Sequence, residues 1–165
     1  MDKVTLRQTL PQHQFPAGYT WPGFLRVDGL VRRPLKLTPA DLAALPERTL
    51  IADFSCLEGW TVPAVVWRGA PLAAVLEQAG VEPTARWVQV IAWDISVPLP
   101  LSDIGSALLA THLGPAPLTV AHGGPVRLVV PGGQCYTSIK WVERVELRDE
   151  PAANTARAMA MARFR

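Results

Sequence analysis

The chain has 165 residues, of which 49% are hydrophobic and 18% are charged, and its formal net charge is +2. This length supports one domain with its own core, and the scattered basic residues do not indicate a nucleic-acid partner. No apolar run reaches the ~18 residues of a membrane span. The N-terminus lacks the apolar core of a secretion signal, so a cytoplasmic location is expected. Sixteen prolines and twelve glycines favour short strands and loops over long helices.

The first elements of the chain follow from its turn and capping residues. Residues 1–23 contain three prolines and two glycines, which predicts an irregular arm lying on the domain. Residues 24–27 alternate between apolar and polar, which predicts a strand that turns at residues 28–29 into a second short strand. Thr38 and Pro39 then predict a helix start, because threonine caps helices well and proline fits the first helical position.

Runs of β-branched and aromatic residues predict the remaining strands, and capped apolar runs predict the remaining helices. Strands are predicted at residues 49–54, 62–67, 87–93, 126–130 and 139–147, a turn at 68–69, and helices at 71–79 and 102–110. The first of these strands is short and apolar, so it is predicted to be buried. No repeat or long linker splits the chain. Residues 24–150 are therefore predicted to form one domain, followed by a frayed, basic tail at residues 151–165.

Cys56 lies just beyond the end of the predicted strand at 49–54, separated from it by Ser55, and is one of two cysteines in the chain. A lone cysteine is often a small buried apolar residue, but it can also be a nucleophile, for which His122 could be the base. A soft thiolate can also hold a redox metal that already carries other sulfur ligands. Zinc is not favoured, because the cysteines and histidines lack the paired spacing of zinc sites. Nothing in the sequence requires a disulfide to Cys135.

A second stretch, residues 122–133, consists of a Gly/Pro-rich turn, a strand and another Gly-rich turn. Backbone N–H groups in such turns can face an anion. Arg127 within this stretch can bind a phosphate through two parallel hydrogen bonds, and Lys140 can add a positive charge. A solvated basic face is the alternative interpretation.

Three segments carry a more specific signal when they are taken together. They are Cys56-Leu-Glu-Gly-Trp60 with Trp67-Arg-Gly-Ala-Pro-Leu72, then His122-Gly-Gly-Pro-Val-Arg-Leu-Val-Val-Pro131, and then Ser138-Ile-Lys-Trp-Val142. In order and spacing they resemble the motifs of the sulfite-oxidase-like molybdopterin-binding domain family. Those motifs are Cys-Val-Glu-Ala-Trp with Trp-x-Gly-x-Pro-Leu, (His/Asn)-Gly-x-Pro-x-Arg-Leu-x-x-Pro, and Ser-(Ile/Val)-Lys-Trp.

The resemblance implies an α+β fold of mixed, mostly short-stranded sheets with a few helices. It also implies a mononuclear molybdenum that is held by the two dithiolene sulfurs of one molybdopterin, by oxo or hydroxo groups, and by one cysteine. Cys56 matches that cysteine, so it is the implied metal ligand and catalytic residue.

The resemblance assigns the cofactor contacts to the second and third segments. His122 and Arg127 match positions that contact the pterin and its phosphate. Ser138, Ile139 and Lys140 match a segment that contacts the cofactor through its backbone and its lysine.

Two parts of the family pattern are absent from this chain. Thr137 lies near the place where the family often has a basic residue. In the arm, only His13 and Gln14 lie near the place of the family's pterin-binding motif.

The function implied by the resemblance is that of a molybdopterin-dependent oxidoreductase, which transfers an oxygen atom at molybdenum. The Cys-x-Glu-x-Trp form is closer to the bacterial branch that contains the methionine-sulfoxide-reductase catalytic subunit than to sulfite oxidases. It therefore favours a small S-oxide substrate over sulfite. No second redox centre is encoded, so an electron-transfer partner is expected. The alternative, favoured by the two absences, is a degenerate domain of the same fold that acts as a small-ligand or protein-interaction module.

Overall fold

The computed structural model describes residues 4–165. Within this range the chain forms eleven β-strands and three α-helices. The strands are β1 (Thr5–Leu6), β2 (Leu25–Gly29), β3 (Leu35–Leu37), β4 (Arg48–Ser55), β5 (Trp60–Pro71), β6 (Trp87–Ala92), β7 (Ile95–Pro100), β8 (Leu108–Leu113), β9 (Ala116–Pro117), β10 (Arg127–Val129) and β11 (Arg144–Arg148). The helices are α1 (Pro39–Ala43), α2 (Leu72–Ala79) and α3 (Thr155–Ala162). In this described range, no helix is both long and apolar enough to cross a membrane.

The strands form two sheets, and each sheet mixes parallel and antiparallel pairs. In the first sheet the order is β1-β5-β8-β10, with β4 also paired to β5 and β9 to β8. In the second sheet the order is β3-β2-β11-β6-β7. The pairs β1–β5 and β11–β2 are parallel, and the other pairs are antiparallel. This arrangement confirms the predicted α+β fold of mixed, mostly short strands.

Two apolar clusters form the core. The larger cluster contains fully buried residues of the second sheet, such as Val27, Val90 and Val145, and the apolar face of α2. The smaller cluster includes Phe54 and Trp67, and Trp67 is only 1% exposed. Burial of each large apolar side chain contributes about 1.5–3 kcal/mol. The smaller cluster therefore fixes the β4–β5 pair, whose connecting turn carries Cys56.

The predicted start of α1 and the predicted end of α2 are confirmed. The Thr38 hydroxyl accepts a hydrogen bond from the Asp41 backbone N–H at 3.2 Å, and the Asp41 carboxylate accepts one from the Thr38 N–H at 2.9 Å. These bonds form a capping box, and the hydrogen bond from the Thr38 backbone lowers the pKa of the Asp41 carboxyl. Helix α2 ends at Gly80, whose φ of 72° lies in the left-handed region that glycine tolerates best.

The helix predicted at residues 102–110 is wrong. A single 3-10 turn at Leu101–Asp103 is followed by β8, which lies between β5 and β10. Leu108 and Leu109 are fully buried there. Burial between two strands outweighs the local helix preference of the sequence.

The turn predicted at residues 68–69 is also wrong, because β5 continues through it to Pro71. A β-bulge lies at this point in the pairing of β5 with β8. A bulge of this kind bends a strand without ending it.

Two predicted strands exist but differ from expectation. Strand β4 pairs with β5 alone among the described strands and is mostly exposed on one face, so Ile51 is 64% exposed instead of buried. The strand predicted at residues 139–147 begins only at Arg144. The backbone at Trp141, with a left-handed φ of 59°, cannot continue a strand.

The arm and the tail are more ordered than predicted. Part of the arm forms β1, which pairs with β5. The tail forms α3 instead of a frayed end, and the Asn154 side chain accepts a hydrogen bond from the Arg157 N–H at 2.9 Å at its start. Residues 1–3 lie outside the described range. The division of the chain at residues 24 and 150 stays a prediction.

The bulge between β5 and β8 depends on Gly69, where an added Cβ would overlap the carbonyl oxygen of Leu109. We expect Gly69→Ala to lower the free energy of unfolding by about 1–3 kcal/mol, the usual cost of overpacking. Gly105→Ala is the matched control, because a Cβ there meets nothing within 4 Å and both changes restrict the unfolded chain alike. Urea unfolding measures both, and equal midpoints would contradict this explanation of the bulge.

Candidate functional site

An open cavity of about 510 Å³ brings together segments that are far apart in the chain. It is lined by the arm, by the turn after β4, by the segment after β10 and by α3. The arm contributes Pro11 and His13, and the turn after β4 contributes Cys56 and Glu58. The segment after β10 contributes Cys135 and Lys140, and α3 contributes Met159 and Ala160. The volume lies within the ~300–1,000 Å³ that is usual for small-molecule and cofactor sites.

Most of the predicted site residues line this cavity. They are Cys56, Arg127, Ser138, Ile139 and Lys140. His122 is not among its described lining residues, and its Nδ1 lies 3.3 Å from the Thr119 hydroxyl. Within the described range no hydrogen bond joins His122 to Cys56, so the structure does not bring this nucleophile and base together. The roles of the predicted residues toward a cofactor stay predictions at this point.

Cys56 lies in the turn that joins β4 to β5. Its backbone N–H donates to the Trp60 carbonyl at 2.9 Å, and its carbonyl accepts from the Gly59 N–H at 3.0 Å. The indole N–H of Trp60 donates to the Glu58 carboxylate at 3.0 Å, and the Trp60 ring is buried in the smaller apolar cluster. These bonds hold the turn in one conformation and place the Cys56 thiol on the cavity wall.

Arg127 is a buried cation, with only 5% of its surface exposed. Its Nε donates to the Ser138 carbonyl at 3.1 Å, and its Nη1 donates to the His122 carbonyl at 2.9 Å. Its guanidinium carbon lies 5.1 Å from the Phe54 ring centre and 5.2 Å from the Trp67 ring centre, distances at which aromatic rings stabilise cations. Among the described residues, no carboxylate forms a salt bridge with it. Burial lowers the pKa of Arg127 to about 10, so the side chain stays charged at neutral pH.

Lys140 adds a second cation to the same wall. Its Nζ donates to the Ala121 carbonyl at 2.6 Å and to the Pro11 carbonyl at 3.1 Å, and it lies 2.8 Å from His13 Nδ1. Burial, and then the charge of Arg127, lower the pKa of Lys140 to about 7. Burial, and then the charge of Lys140, lower the pKa of His13. In the described part of the chain Lys140 also lacks a carboxylate partner. The cavity wall is therefore positive and suited to an anion.

Cys135 is a second sulfur at this wall that sequence analysis did not assign to the site. It begins the 3-10 turn Cys135–Thr137, and its Sγ lies 2.9 Å from the Sγ of Cys56. Both cysteines are free and partly buried. Burial, and then the hydrogen bond to Cys56, raise the pKa of the Cys135 thiol to about 11. The only sequence signal for this pair is that the chain has two cysteines.

Large apolar side chains line the mouth of the cavity, and sequence analysis missed them as well. Trp93, Met159 and Phe164 are 44%, 46% and 55% exposed. Met159 and Phe164 belong to the segment that was predicted to be a frayed tail. The packing of α3 against β7 and against the turn that carries Cys135 brings them to the cavity.

Comparison with known families gives a match over most of the chain. A sequence model described as "Oxidoreductase molybdopterin binding domain" matches residues 12–156.

Three curated relatives illustrate the similarity. The uncharacterized oxidoreductase YuiH of Bacillus subtilis is 33% identical over 129 residues, which is 76% of this chain and 65% of that protein. The protein-methionine-sulfoxide reductase catalytic subunit MsrP of Gluconobacter oxydans is 29% identical over 173 residues, covering 91% of this chain and 54% of that protein. Sulfite oxidase of Arabidopsis thaliana is 28% identical over 157 residues, covering 72% of this chain and 40% of that protein.

A solved structure has the same fold. The sulfane dehydrogenase SoxCD from Paracoccus pantotrophus superposes with a TM-score of 0.72 at 28% sequence identity, covering 79% of this chain and 39% of that chain. The present chain therefore spans 65% or less of each of these proteins.

The lowered pKa of Lys140 makes the stability of the ligand-free protein depend on pH. The amine keeps its proton up to a pKa near 10.5 in the unfolded chain but only up to about 7 in the folded one. The unfolded chain therefore binds more protons between these values, and the free energy of unfolding should rise from about pH 7 to about pH 9. We expect a contribution of about 1 kcal/mol, less than the full shift, because the amine stays partly solvated.

Urea unfolding across this pH range tests the effect. Lys140→Met should remove the rise, and Lys36→Met, which removes an exposed lysine, should keep it. The same rise in Lys140→Met as in the unaltered chain would show that another group is responsible.

Proposed function

The chain belongs to the oxidoreductase molybdopterin-binding domain family, whose cofactor is molybdopterin, and we propose that it is an oxidoreductase that transfers an oxygen atom at a mononuclear molybdenum bound through Cys56. One observation carries this proposal. The wall of a single cavity holds the thiol of Cys56 and two cations without a described carboxylate partner, Arg127 and Lys140.

The chemistry of these side chains fits the cofactor. Molybdopterin carries a phosphate, and arginine, lysine and backbone N–H groups are the usual ligands of phosphate. The two hydrogen bonds of Arg127 use its Nε and Nη1, and among the described residues no acceptor is bonded to its Nη2. One edge of the guanidinium is thus left for an anion. The Cys56 sulfur supplies the soft ligand that suits a metal already bound by dithiolene sulfurs.

When bound, the cofactor would supply the redox chemistry, because molybdenum changes between Mo(VI) and Mo(IV) as an oxygen atom is transferred. The protein supplies position and charge. Cys56 would hold the metal at the cavity wall, and Arg127 and Lys140 would neutralise the phosphate. A phosphate beside Lys140 would favour its charged form and raise its pKa from about 7.

A small S-oxide is the substrate class that we propose. The relative from Gluconobacter oxydans is named a methionine-sulfoxide reductase subunit, and Cys56, Glu58 and Trp60 here form the Cys-x-Glu-x-Trp pattern of that branch. Reduction of an S-oxide consumes two electrons and two protons and releases water. The electrons would come from a separate electron-transfer partner. The exposed apolar side chains at the cavity mouth would contact the substituents on the substrate sulfur. A cytoplasmic location stays a prediction.

The alternative is a domain of the same fold that binds a small ligand or a protein and catalyses nothing. Thr137, near the place where the family often has a basic residue, favours it. This alternative predicts a cavity that binds anions but acquires no molybdenum in a host that makes the cofactor.

The proposal predicts turnover of S-oxides by protein produced in a host that makes molybdopterin. With a reduced viologen dye as the artificial electron donor, dimethyl sulfoxide or methionine sulfoxide should cause oxidation of the dye. Cys56→Ser should reduce this rate to background, because a hydroxyl is a poor ligand for a soft metal site. Absorbance of the dye measures the rate.

The molybdenum content of the same samples is measured as well, so that an inactive enzyme can be distinguished from one that lacks the metal. Molybdenum-loaded protein that does not oxidise the dye would reject the S-oxide substrate. An equal rate in Cys56→Ser would reject Cys56 as the catalytic ligand.

A further inference from the structure

The two thiols in the cavity wall, those of Cys56 and Cys135, are in direct contact. Their Sγ atoms are 2.9 Å apart, although the residues are 79 positions apart in sequence. They are the only cysteines in the chain. The proposed function uses Cys56 alone, so it gives no reason for a second sulfur at this place.

The two sulfurs are positioned for a bond. Their separation exceeds the ~2.05 Å of a disulfide by only about 0.9 Å, which small side-chain rotations can supply. Cys56 lies in the hydrogen-bonded turn after β4, and Cys135 begins a 3-10 turn whose Ser138 N–H donates to the Cys135 carbonyl at 3.2 Å. Backbone hydrogen bonds at each residue therefore hold in place the two backbone positions from which the sulfurs meet.

Both sulfurs are also within reach of a small molecule. The cysteines are only partly buried, and both line the open cavity. A small oxidant that enters the cavity can therefore reach them. A bound cofactor, in contrast, would occupy this space and engage the Cys56 sulfur.

We propose that Cys56 and Cys135 form a reversible disulfide in the cofactor-free protein, and that this bond withholds the Cys56 sulfur from molybdenum until it is reduced. The thiolate is the form of cysteine that binds a metal, so a disulfide sulfur cannot replace it. The formation of the bond is independent of the proposed function, whereas the effect on metal loading rests on it.

The oxidant is a small-molecule disulfide such as oxidised glutathione, and the reaction is two thiol–disulfide exchanges. One protein sulfur attacks the glutathione disulfide, which breaks its S–S bond and releases one glutathione thiol. The second protein sulfur then attacks the protein sulfur of the mixed disulfide and releases the other glutathione thiol. Two electrons and two protons pass from the protein thiols to the two glutathione thiols. A dithiol reductant reverses both steps.

The first experiment tests the bond itself. Cofactor-free protein, produced in a host that cannot make molybdopterin, is reduced, freed of reductant and incubated with oxidised glutathione. Intact mass and thiol titration should show the loss of two hydrogens and of both thiols, and non-reducing peptide mapping should find a Cys56–Cys135 peptide. Cys56→Ser and Cys135→Ser are matched controls, and each should stop at a mixed disulfide with glutathione. A wild-type protein that also stops there, or keeps both thiols, would overturn the proposal.

The second experiment tests the effect on loading. Reduced and oxidised wild-type protein are each mixed with molybdenum-molybdopterin released from a donor protein, and bound molybdenum is measured by mass spectrometry. The oxidised sample should bind about tenfold less metal, because its Cys56 thiolate is absent. Treatment with dithiothreitol should restore binding.

Failure of the proposed control of metal loading can be distinguished from failure of the proposed function. Equal molybdenum in the oxidised and reduced samples would overturn the control of loading and leave the proposed function intact. No molybdenum in the reduced sample would overturn the proposed function, and the control of loading with it. In both cases the mass measurement decides separately whether the disulfide forms.

Discussion

A buried guanidinium without a carboxylate partner is the constraint around which the site is arranged. An unpaired charge in a protein interior costs several kcal/mol, and among the described residues Arg127 is compensated only by two carbonyls and two aromatic rings. Lys140 is a second cationic side chain nearby, and burial, followed by the charge of Arg127, lowers its pKa to about 7. The phosphate of molybdopterin would neutralise both side chains. Without it, no carboxylate among the described residues balances their charge, as is expected of a binding site for an anionic cofactor.

The backbone beside these cations departs from regular structure. Trp93 and Trp141 both line the cavity and have left-handed φ values of 54° and 59°, which are unfavourable for large side chains. Trp93 directly follows β6, and Trp141 lies shortly before β11. Strain of this kind persists where packing and hydrogen bonds enforce it, and it is commonest at functional sites. Here the Trp141 indole N–H donates to the Val120 carbonyl at 2.8 Å, which helps to hold the residue in place.

The sequence was sufficient to predict a structural element where the interaction that determines it is local. The start of α1 depends on Thr38 and the end of α2 on Gly80. The family motifs located part of the cavity wall, including Cys56, Arg127 and Lys140. Prediction from the sequence failed where the determining contacts come from distant strands, as for β8. It also failed where two side chains meet only in the folded chain, as for Cys56 and Cys135. His122 lies outside the described lining of the cavity, and its backbone carbonyl accepts a hydrogen bond from Arg127, so its predicted contact with a cofactor stays a prediction. A match of residue types cannot distinguish a side-chain contact from a backbone one.

The cofactor content of Arg127 variants tests the central claim most directly. Protein from a host that makes molybdopterin should contain close to one molybdenum and one pterin per chain. Arg127→Gln should contain about tenfold less of both, because the charged phosphate contact is lost. Arg32→Gln, which removes an exposed arginine, should match the unaltered chain. Equal molybdenum and pterin in a folded Arg127→Gln protein would contradict the claim that this buried cation anchors the cofactor.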